Sequence, residues 1–362
     1  MTAPPTPGSG PLVSIVITCF NYARYVAAAI ESALAQTHSR TEVIVVNDGS
    51  TDESPAVIAR YADRVQVINQ PNGGSTSAYN TGFAAATGEL VMLLDADDLM
   101  APDAVAAVAT AWRPGCAKVQ YDLAIIDAQG RDLGRRFCAF RPGYDAEAVR
   151  VSFQRTGTYR WPVAAGNAYA RWFAAPLFPL AIEHGADGLM NTLAPLYGEV
   201  VTIPRVLGCY RLHGKNMWSS SGGDLERLPY RIRHRRSEIA ALQAHAARQG
   251  VALPAGDILD HELPFLNYRL GALKLGLDYP GRNADTAAHL MACAGRAVLG
   301  QALPPKLKLA HLAWFLALGL APRPLAAHLL WLRLHRVSVK DAGIRLLGRL
   351  AARSARRHVD AR

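Results

Sequence analysis

The chain has 362 residues, half of them hydrophobic, enough to bury a sizeable core in two or three domains. Its five cysteines, Cys19, Cys116, Cys138, Cys209 and Cys293, include no CxxC pair; this speaks against a zinc site and a disulfide framework and suits a reducing cytoplasm. The formal charge of +10 lies wholly after residue 305, where twelve Lys or Arg face only Asp341 and Asp360, while residues 1–305 hold 27 of each sign. A basic tail on a neutral body calls for an anionic surface as partner. Nucleic acid is not expected, because basic and aromatic residues are not interleaved as a stacking platform needs.

Residues 1–10 are rich in Pro, Gly and Ser and read as a flexible tail without the basic and apolar blocks of a targeting peptide. Residues 12–18 form an apolar, β-branched run, the pattern of a parallel strand covered on both faces. After a loop at 19–22, residues 25–36 show helical spacing, with Tyr25, Ala29, Ile30 and Leu34 on one stripe. A second strand at 42–46 ends in Asn47-Asp48-Gly49-Ser50-Thr51-Asp52, which is turn and helix-cap chemistry. A short strand at 65–68, the turn Gln70-Pro71-Asn72-Gly73-Gly74 and a helix at 76–86 lead to a third apolar run at 90–94. This alternation predicts an α/β fold with a doubly wound parallel sheet and right-handed crossovers.

The run at 90–94 ends in Asp95-Ala96-Asp97. Two carboxylates at i and i+2 there occupy the strand tip where open α/β sheets place ligands. Such a pair can hold a hard divalent cation that keeps waters and takes substrate phosphates. Thr18, Phe20 and Asn21 lie at the first strand tip and Asp48 at the second, where a carboxylate can accept the imide N–H of a pyrimidine. Gly73 and Gly74 allow close backbone approach, and Asn80 can hydrogen-bond ribose or phosphate. Trp161 can stack on a sugar ring. Three of these readings have plainer alternatives: Asp48 as a helix cap, the Asp cluster as solvated caps, and Trp161 as core.

These residues together resemble the family 2 glycosyltransferases. The resemblance rests on residues 13–21, Val45-Val46-Asn47-Asp48-Gly49-Ser50-Thr51-Asp52, Asn80-Thr81-Gly82, and Ala86-Thr87-Gly88-Glu89 running into Leu94-Asp95-Ala96-Asp97-Asp98, and it continues more weakly to about residue 216. It implies a Rossmann-like, nucleotide-sugar-binding sheet (the GT-A fold) over 11–222, with a donor half at 11–114 and an acceptor half at 115–222. It implies an inverting transferase that uses Mg²⁺ or Mn²⁺ and a nucleotide-diphosphate sugar, with UDP- or dTDP-sugars favoured, and a glycan, lipid-linked or small-molecule acceptor. In that pattern Asp48 contacts the base, Asp97 the metal, Asp95 and Ala96 the donor, with Asp95 at the ribose or a metal-bound water. Asp187 is the general base, and His213, in Tyr210-Arg211-Leu212-His213-Gly214-Lys215-Asn216, meets metal or diphosphate.

The chain departs from the pattern twice. Tyr79 stands where a cation usually precedes Asn80, with Arg211 and Lys215 as candidate substitutes. Ala186 stands where an acid usually precedes the base, with Glu183 and His184 as candidate substitutes. These departures keep a degenerate sugar-nucleotide-binding protein at a membrane in view. A sugar nucleotidyltransferase is the other rival, opposed by Cys19-Phe20-Asn21-Tyr22 where those enzymes carry a Gly-rich basic loop.

Residues 219–224 read as a linker, and 223–362 as a mainly helical region with helical spacing at 225–249, 263–277 and 287–299. The apolar runs at 311–320 and 325–334 fall short of the ~20 residues that span a bilayer. They are either a hairpin packed in the core or an interfacial segment. Residues 341–357 place Ile344, Leu347, Leu350 and Ala351 near one face, with Arg345, Arg349, Arg353, Arg356 and Arg357 around the rest. That pattern predicts a basic amphipathic helix at an anionic membrane, and so a cytoplasmic protein peripheral at the inner face.

Overall fold

The computed structural model describes residues 10–181, 185–213, 225–301 and 303–334. Four strands come first: β1 (Val13–Cys19), β2 (Thr41–Asp48), β3 (Gln66–Gln70) and β4 (Leu90–Asp95). They pair in parallel in the order β3-β2-β1-β4. Every residue of β1 is buried, as its unbroken apolar run requires. Helices α1 (Val26–Leu34), α2 (Ser54–Ala59) and α3 (Ser75–Ala85) make the connections.

The all-parallel expectation ends at β4. The sheet continues through β8 (Asn167–Ala170), antiparallel to both β4 and β6 (Cys116–Asp127). The long β9 (Glu199–Leu212) then runs parallel to β6, with bulges, and β5 (Leu99–Met100) pairs antiparallel to β9. β7 (Asp132–Arg136) hangs from β6. Among the described residues the result is a mixed sheet of nine strands. Helices α4 (Ala104–Ala111), α5 (Ala146–Thr156), α6 (Arg171–Ala174) and α7 (Ala186–Tyr197) lie between these strands in the chain.

β6 shows why this half does not read as strand from its sequence. Lys118, Gln120 and Asp122 share one face and are all fully buried. Each is satisfied inside. Lys118 Nζ donates to Gln120 Oε1 (3.0 Å) and to the Tyr159 hydroxyl (3.1 Å). Asp122 accepts the backbone N–H groups of Leu123, Cys138, Ala139 and Phe140 at 3.0–3.2 Å. A polar core face is allowed only when it is paired in this way.

The remaining helices among the described residues are α8 (Leu228–Gln249), α9 (Leu263–Leu275), α10 (Ala287–Gly300), α11 (Pro305–Leu320) and α12 (Arg323–Leu334). Pro305 opens α11 at its first position, where a missing N–H costs nothing. The chain forms two compact units. One takes the chain to His213 together with Glu238–Ala255; the other takes Gly214–Ser237 and the chain from Gly256 onward. Within the second unit the Arg269 guanidinium bonds Asp285 (2.5 and 2.9 Å) and Asp260 (2.7 Å), and Arg235 bonds Glu262 (2.5 Å), so these buried cations are paired. No described helix is long and apolar enough to cross a membrane. The N-terminal tail to residue 9, the 219–224 linker, and the 341–357 helix lie outside the described residues.

Candidate active site

The parallel strands bring their carboxyl ends to one edge. Thr18 is the register partner of Asp95, and Cys19 of Asn47. Past β1 the chain turns at Asn21, in the left-handed region at φ 59°. The Asn21 side-chain oxygen accepts from Thr51 N–H (2.7 Å) and Asp52 N–H (3.3 Å), and its own N–H donates to Ser50 Oγ (3.0 Å). Asn21 thus ties two strand-tip loops together, while Phe20 beside it is 43% exposed. Ala96 is buried, and its N–H donates to the Thr18 carbonyl at 3.1 Å.

Asp48 is buried and anchors the glycine turn. Its Oδ1 accepts from Gln70 Nε2 (2.6 Å) and Gly73 N–H (2.9 Å), and its Oδ2 from Gly74 N–H (2.9 Å). Gly74 has φ +83°, a conformation that favours glycine, and faces open space on the side where a Cβ would stand. Asn80 bridges from α3 to the chain at Leu180: Nδ2 donates to the Leu180 carbonyl (3.1 Å), and Leu180 N–H donates to Oδ1 (2.8 Å).

Beyond β4 stand three acids. Asp95, Asp97 and Asp98 each offer a carboxylate oxygen, all within 4.8 Å of one another. Asp97 Oδ2 is 2.7 Å from His213 Nε2. The His213 ring stacks on Tyr25 (5.4 Å, 27°) and meets Tyr22 edge-on (5.6 Å). Asp98 Oδ1 accepts the Arg211 N–H at 2.9 Å, whereas its Oδ2 is buried without a hydrogen-bond partner among the described residues. Burial first, and then the charge of Asp97, raise the proton affinity of both Asp95 and Asp98. The same negative field, after burial, raises Tyr22 and Tyr210.

Where the cation is missing, a hydroxyl and Arg211 stand beside the acids. Tyr79 is buried, and its hydroxyl donates to Asp95 Oδ1 at 2.5 Å. A neutral donor thus supports this carboxylate. Arg211 is buried beside the cluster, with Nε donating to the Asp97 carbonyl (2.7 Å) and the guanidinium 4.8 Å from the Tyr25 ring centre. Lys215 lies outside the described residues.

Three hard oxygen donors, one with an orphaned buried oxygen, repel each other without a cation. That donor set suits Mg²⁺ or Mn²⁺ and not a soft metal.

Asp187 lies in the first turn of α7, which starts from the left-handed Gly185 (φ 74°). Its carboxyl is pushed up to about 6, first by burial, then by the charge of Glu238. N–H donation from Gly188 and the positive charge of Lys118 oppose that rise. Asp187 in turn raises the proton affinity of Asp95, behind larger effects from burial and Asp97, so the two acids share one electrostatic field.

Glu238, on α8 and 51 positions further along the chain, is buried. A Cβ on Gly188 would stand 2.0 Å from Glu238 Oε1, so the missing side chain there is what lets the carboxylate approach. The sequence points for this second acid to Glu183 or His184, which lie outside the described residues. No local signal marks Glu238; a lone Glu in a helix rich in Arg and Ala reads as a solvated charge.

Ala164–Gly166 form a single 3₁₀ turn that leads directly into β8. Asn167 is buried and donates to the Pro162 and Val163 carbonyls, and the Tyr169 hydroxyl donates to Asn191 Oδ1 (2.9 Å). Trp161 leans on Tyr159 at 5.1 Å.

A sequence profile described as glycosyl transferase family 2 matches residues 14–160. An uncharacterized glycosyltransferase of Nostoc sp. is 35% identical over 212 residues, covering 56% of this chain and 66% of that protein. The chain belongs to glycosyl transferase family 2. A chondroitin synthase of Pasteurella multocida is 45% identical over 98 residues, which are 26% of this chain and 10% of that protein. The matches thus span just under two thirds of the Nostoc protein and a tenth of the synthase. Among solved structures, S. aureus TarS residues 1–349 in complex with UDP-GlcNAc superposes with a TM-score of 0.54 at 16% identity, covering 90% of each chain. At that identity the likeness shows the fold, a GT-A-like mixed sheet followed by helices.

Proposed function

We propose that this family 2 member is an inverting, metal-dependent glycosyltransferase. It would move one sugar from a nucleotide-diphosphate donor, UDP- or dTDP-linked by preference, to a glycan, lipid-linked or small-molecule acceptor. The observation that carries this reading is the Asp95–Asp97–Asp98 cluster at the strand tips, in the electrostatic range of Asp187. The family membership and the UDP-GlcNAc complex of TarS support it.

On this reading Thr18, Phe20, Asn21, Asp48 and Gly74 border the nucleoside. Asp48 keeps the glycine turn in place and offers its remaining lone pairs to a pyrimidine imide. Asn80 fixes the backbone at Leu180 against the donor side. Asp97 and Asp95, with His213 and the orphaned oxygen of Asp98, would hold Mg²⁺ or Mn²⁺. When bound, that ion supplies Lewis-acid neutralisation of the departing diphosphate. Arg211 adds a fixed positive charge beside the same cluster.

Asp187 acts as general base. It takes the proton of the acceptor hydroxyl as that oxygen bonds to the anomeric carbon, while the bond to the diphosphate oxygen breaks on the opposite face. A carboxyl pushed up to about 6 is a stronger base than an ordinary aspartate and is still ionised at neutral pH. Turnover is therefore expected to fall away as pH drops through about 6. In Glu238→Gln the loss of a like charge lets Asp187 ionise more readily, so the acid limb of the kcat/KM profile moves to lower pH. An unmoved limb would show that Glu238 does not act on the base.

Tyr79→Phe removes the hydroxyl that supports Asp95 and keeps the packing. It is expected to weaken Mn²⁺ affinity by about tenfold or more, as loss of a ligand's supporting hydrogen bond generally does. Titration calorimetry of Mn²⁺ with a nucleoside diphosphate present reads this directly, and an unchanged affinity would leave Tyr79 a packing residue.

The reading is tested by incubating the protein with a panel of nucleotide sugars and Mn²⁺ and following release of nucleoside diphosphate. One donor should turn over, and EDTA should stop it. Turnover that EDTA does not affect would refute metal dependence. Neither turnover nor donor binding would favour the degenerate binding protein.

A further inference from the structure

α11 packs inward by one face only. Phe315 and Leu318 turn inward and are buried, but Leu309, Leu316 and Leu320 are 68%, 56% and 70% exposed. With Ala313, also exposed, these positions recur at i, i+4, i+7 and i+11 and form one stripe. The stripe is about 16 Å long at the helical rise. Leu299 of α10, Leu307, and Leu325 and Trp331 of α12 are exposed as well. Water does not tolerate so many large apolar side chains in one unit without a use for them.

Charge selects the occupant. No Asp or Glu occurs from Thr286 through Lys340, so α10, α11 and α12 carry no acid at all. Lys306 in the first turn of α11 and Arg323 at the start of α12 are exposed. A second copy of this face would bring like charges together across a two-fold axis, because such an interface pairs a patch with itself. An anionic bilayer meets both demands: it accepts leucines at the acyl boundary and lysines and arginines at the headgroups. α11 has 16 residues and α12 has 12, too short to span and long enough to lie flat.

We propose that the Leu309–Leu316–Leu320 stripe, flanked by Lys306 and Arg323, seats the protein on an anionic lipid surface. α11 lies in the plane of the interface with its leucines at the acyl boundary, and Trp331 sits at headgroup depth, where its amphipathic ring is favoured.

The test is co-sedimentation of the full chain with vesicles of phosphatidylcholine alone or with 30% (about one lipid in three) phosphatidylglycerol. The variant is Leu309→Gln, Leu316→Gln and Leu320→Gln together. These residues are exposed, so melting temperature should hold, and melting is measured alongside. The expected result is binding to the anionic vesicles, weakened by salt, and at least about tenfold weaker in the variant. Equal binding by the variant would overturn the proposal, as would failure of the native chain to bind anionic vesicles. Native dimers that the variant turns into monomers would overturn it too, assigning the stripe to a second copy.

Discussion

Asp187→Asn is expected to lower kcat by about 10²–10⁴-fold, the usual worth of a positioned general base, with donor affinity little changed. The side chain keeps its shape and loses its basicity, so a loss confined to kcat would separate chemistry from binding. The same substitution is expected to stabilise the protein at neutral pH. The Asp187 carboxyl is raised from 3.8 to about 6 in the folded chain. Below about pH 4 it is protonated both folded and unfolded and costs nothing. Between about pH 4 and 6 the unfolded chain ionises it while the folded chain holds the proton, so stability falls, and above about 6 the folded state carries the full penalty. Asparagine removes that penalty, worth at most about 3 kcal/mol, because each tenfold rise in proton affinity corresponds to about 1.4 kcal/mol. Thermal melts should therefore favour the variant at pH 8 and show no difference near pH 4. Full turnover in the variant would remove Asp187 from the chemistry.

Asp97→Ala is expected to remove metal-dependent turnover, with a loss of a hundredfold or more, about 3 kcal/mol of transition-state stabilisation. Asp97 sits between Asp95 and Asp98 in the chain and bonds His213 at 2.7 Å. Its charge is the largest effect after burial that raises the proton affinity of either neighbour. Both neighbours should ionise more readily once it is gone, so the metal-free variant should be more stable than the metal-free parent at neutral pH. Adding Mn²⁺ should stabilise the parent and leave the variant nearly unmoved. If Mn²⁺ stabilised both equally, the ion would be binding elsewhere.

The half of the sheet built from β1 to β4 is legible in the sequence because its physics is local. β1, β2 and β4 are covered on both faces, so Val13–Cys19 and Leu90–Asp95 read as apolar runs, and their tips follow from strand–helix alternation. The second half is not legible in this way. β6 carries Lys118, Gln120 and Asp122 on a buried face, and only the fold supplies Tyr159 and the backbone at 138–140 to satisfy them. Periodicity therefore shows no strand there, and the antiparallel β8 and the long β9 are hidden with it. The site divides along the same line. Asp95 and Asp97 announce themselves by spacing. Asp98 looks like a helix cap, and its place in the cluster depends on the Arg211 backbone, 113 positions away. Glu238 reaches Asp187 only because α8 returns against Gly188. The exposed leucines of α11 read equally well as core, since an apolar run does not say which of its faces is covered.

The most direct test is calorimetric titration of UDP, dTDP and GDP into the full chain, each with Mn²⁺ and with EDTA, and again with Asp97→Ala. A metal-dependent donor site predicts tight binding of one nucleoside diphosphate with Mn²⁺, at least tenfold weaker in EDTA and in the variant (about 1.4 kcal/mol). Equal affinity in all three conditions, or no binding of any of the three, would contradict it.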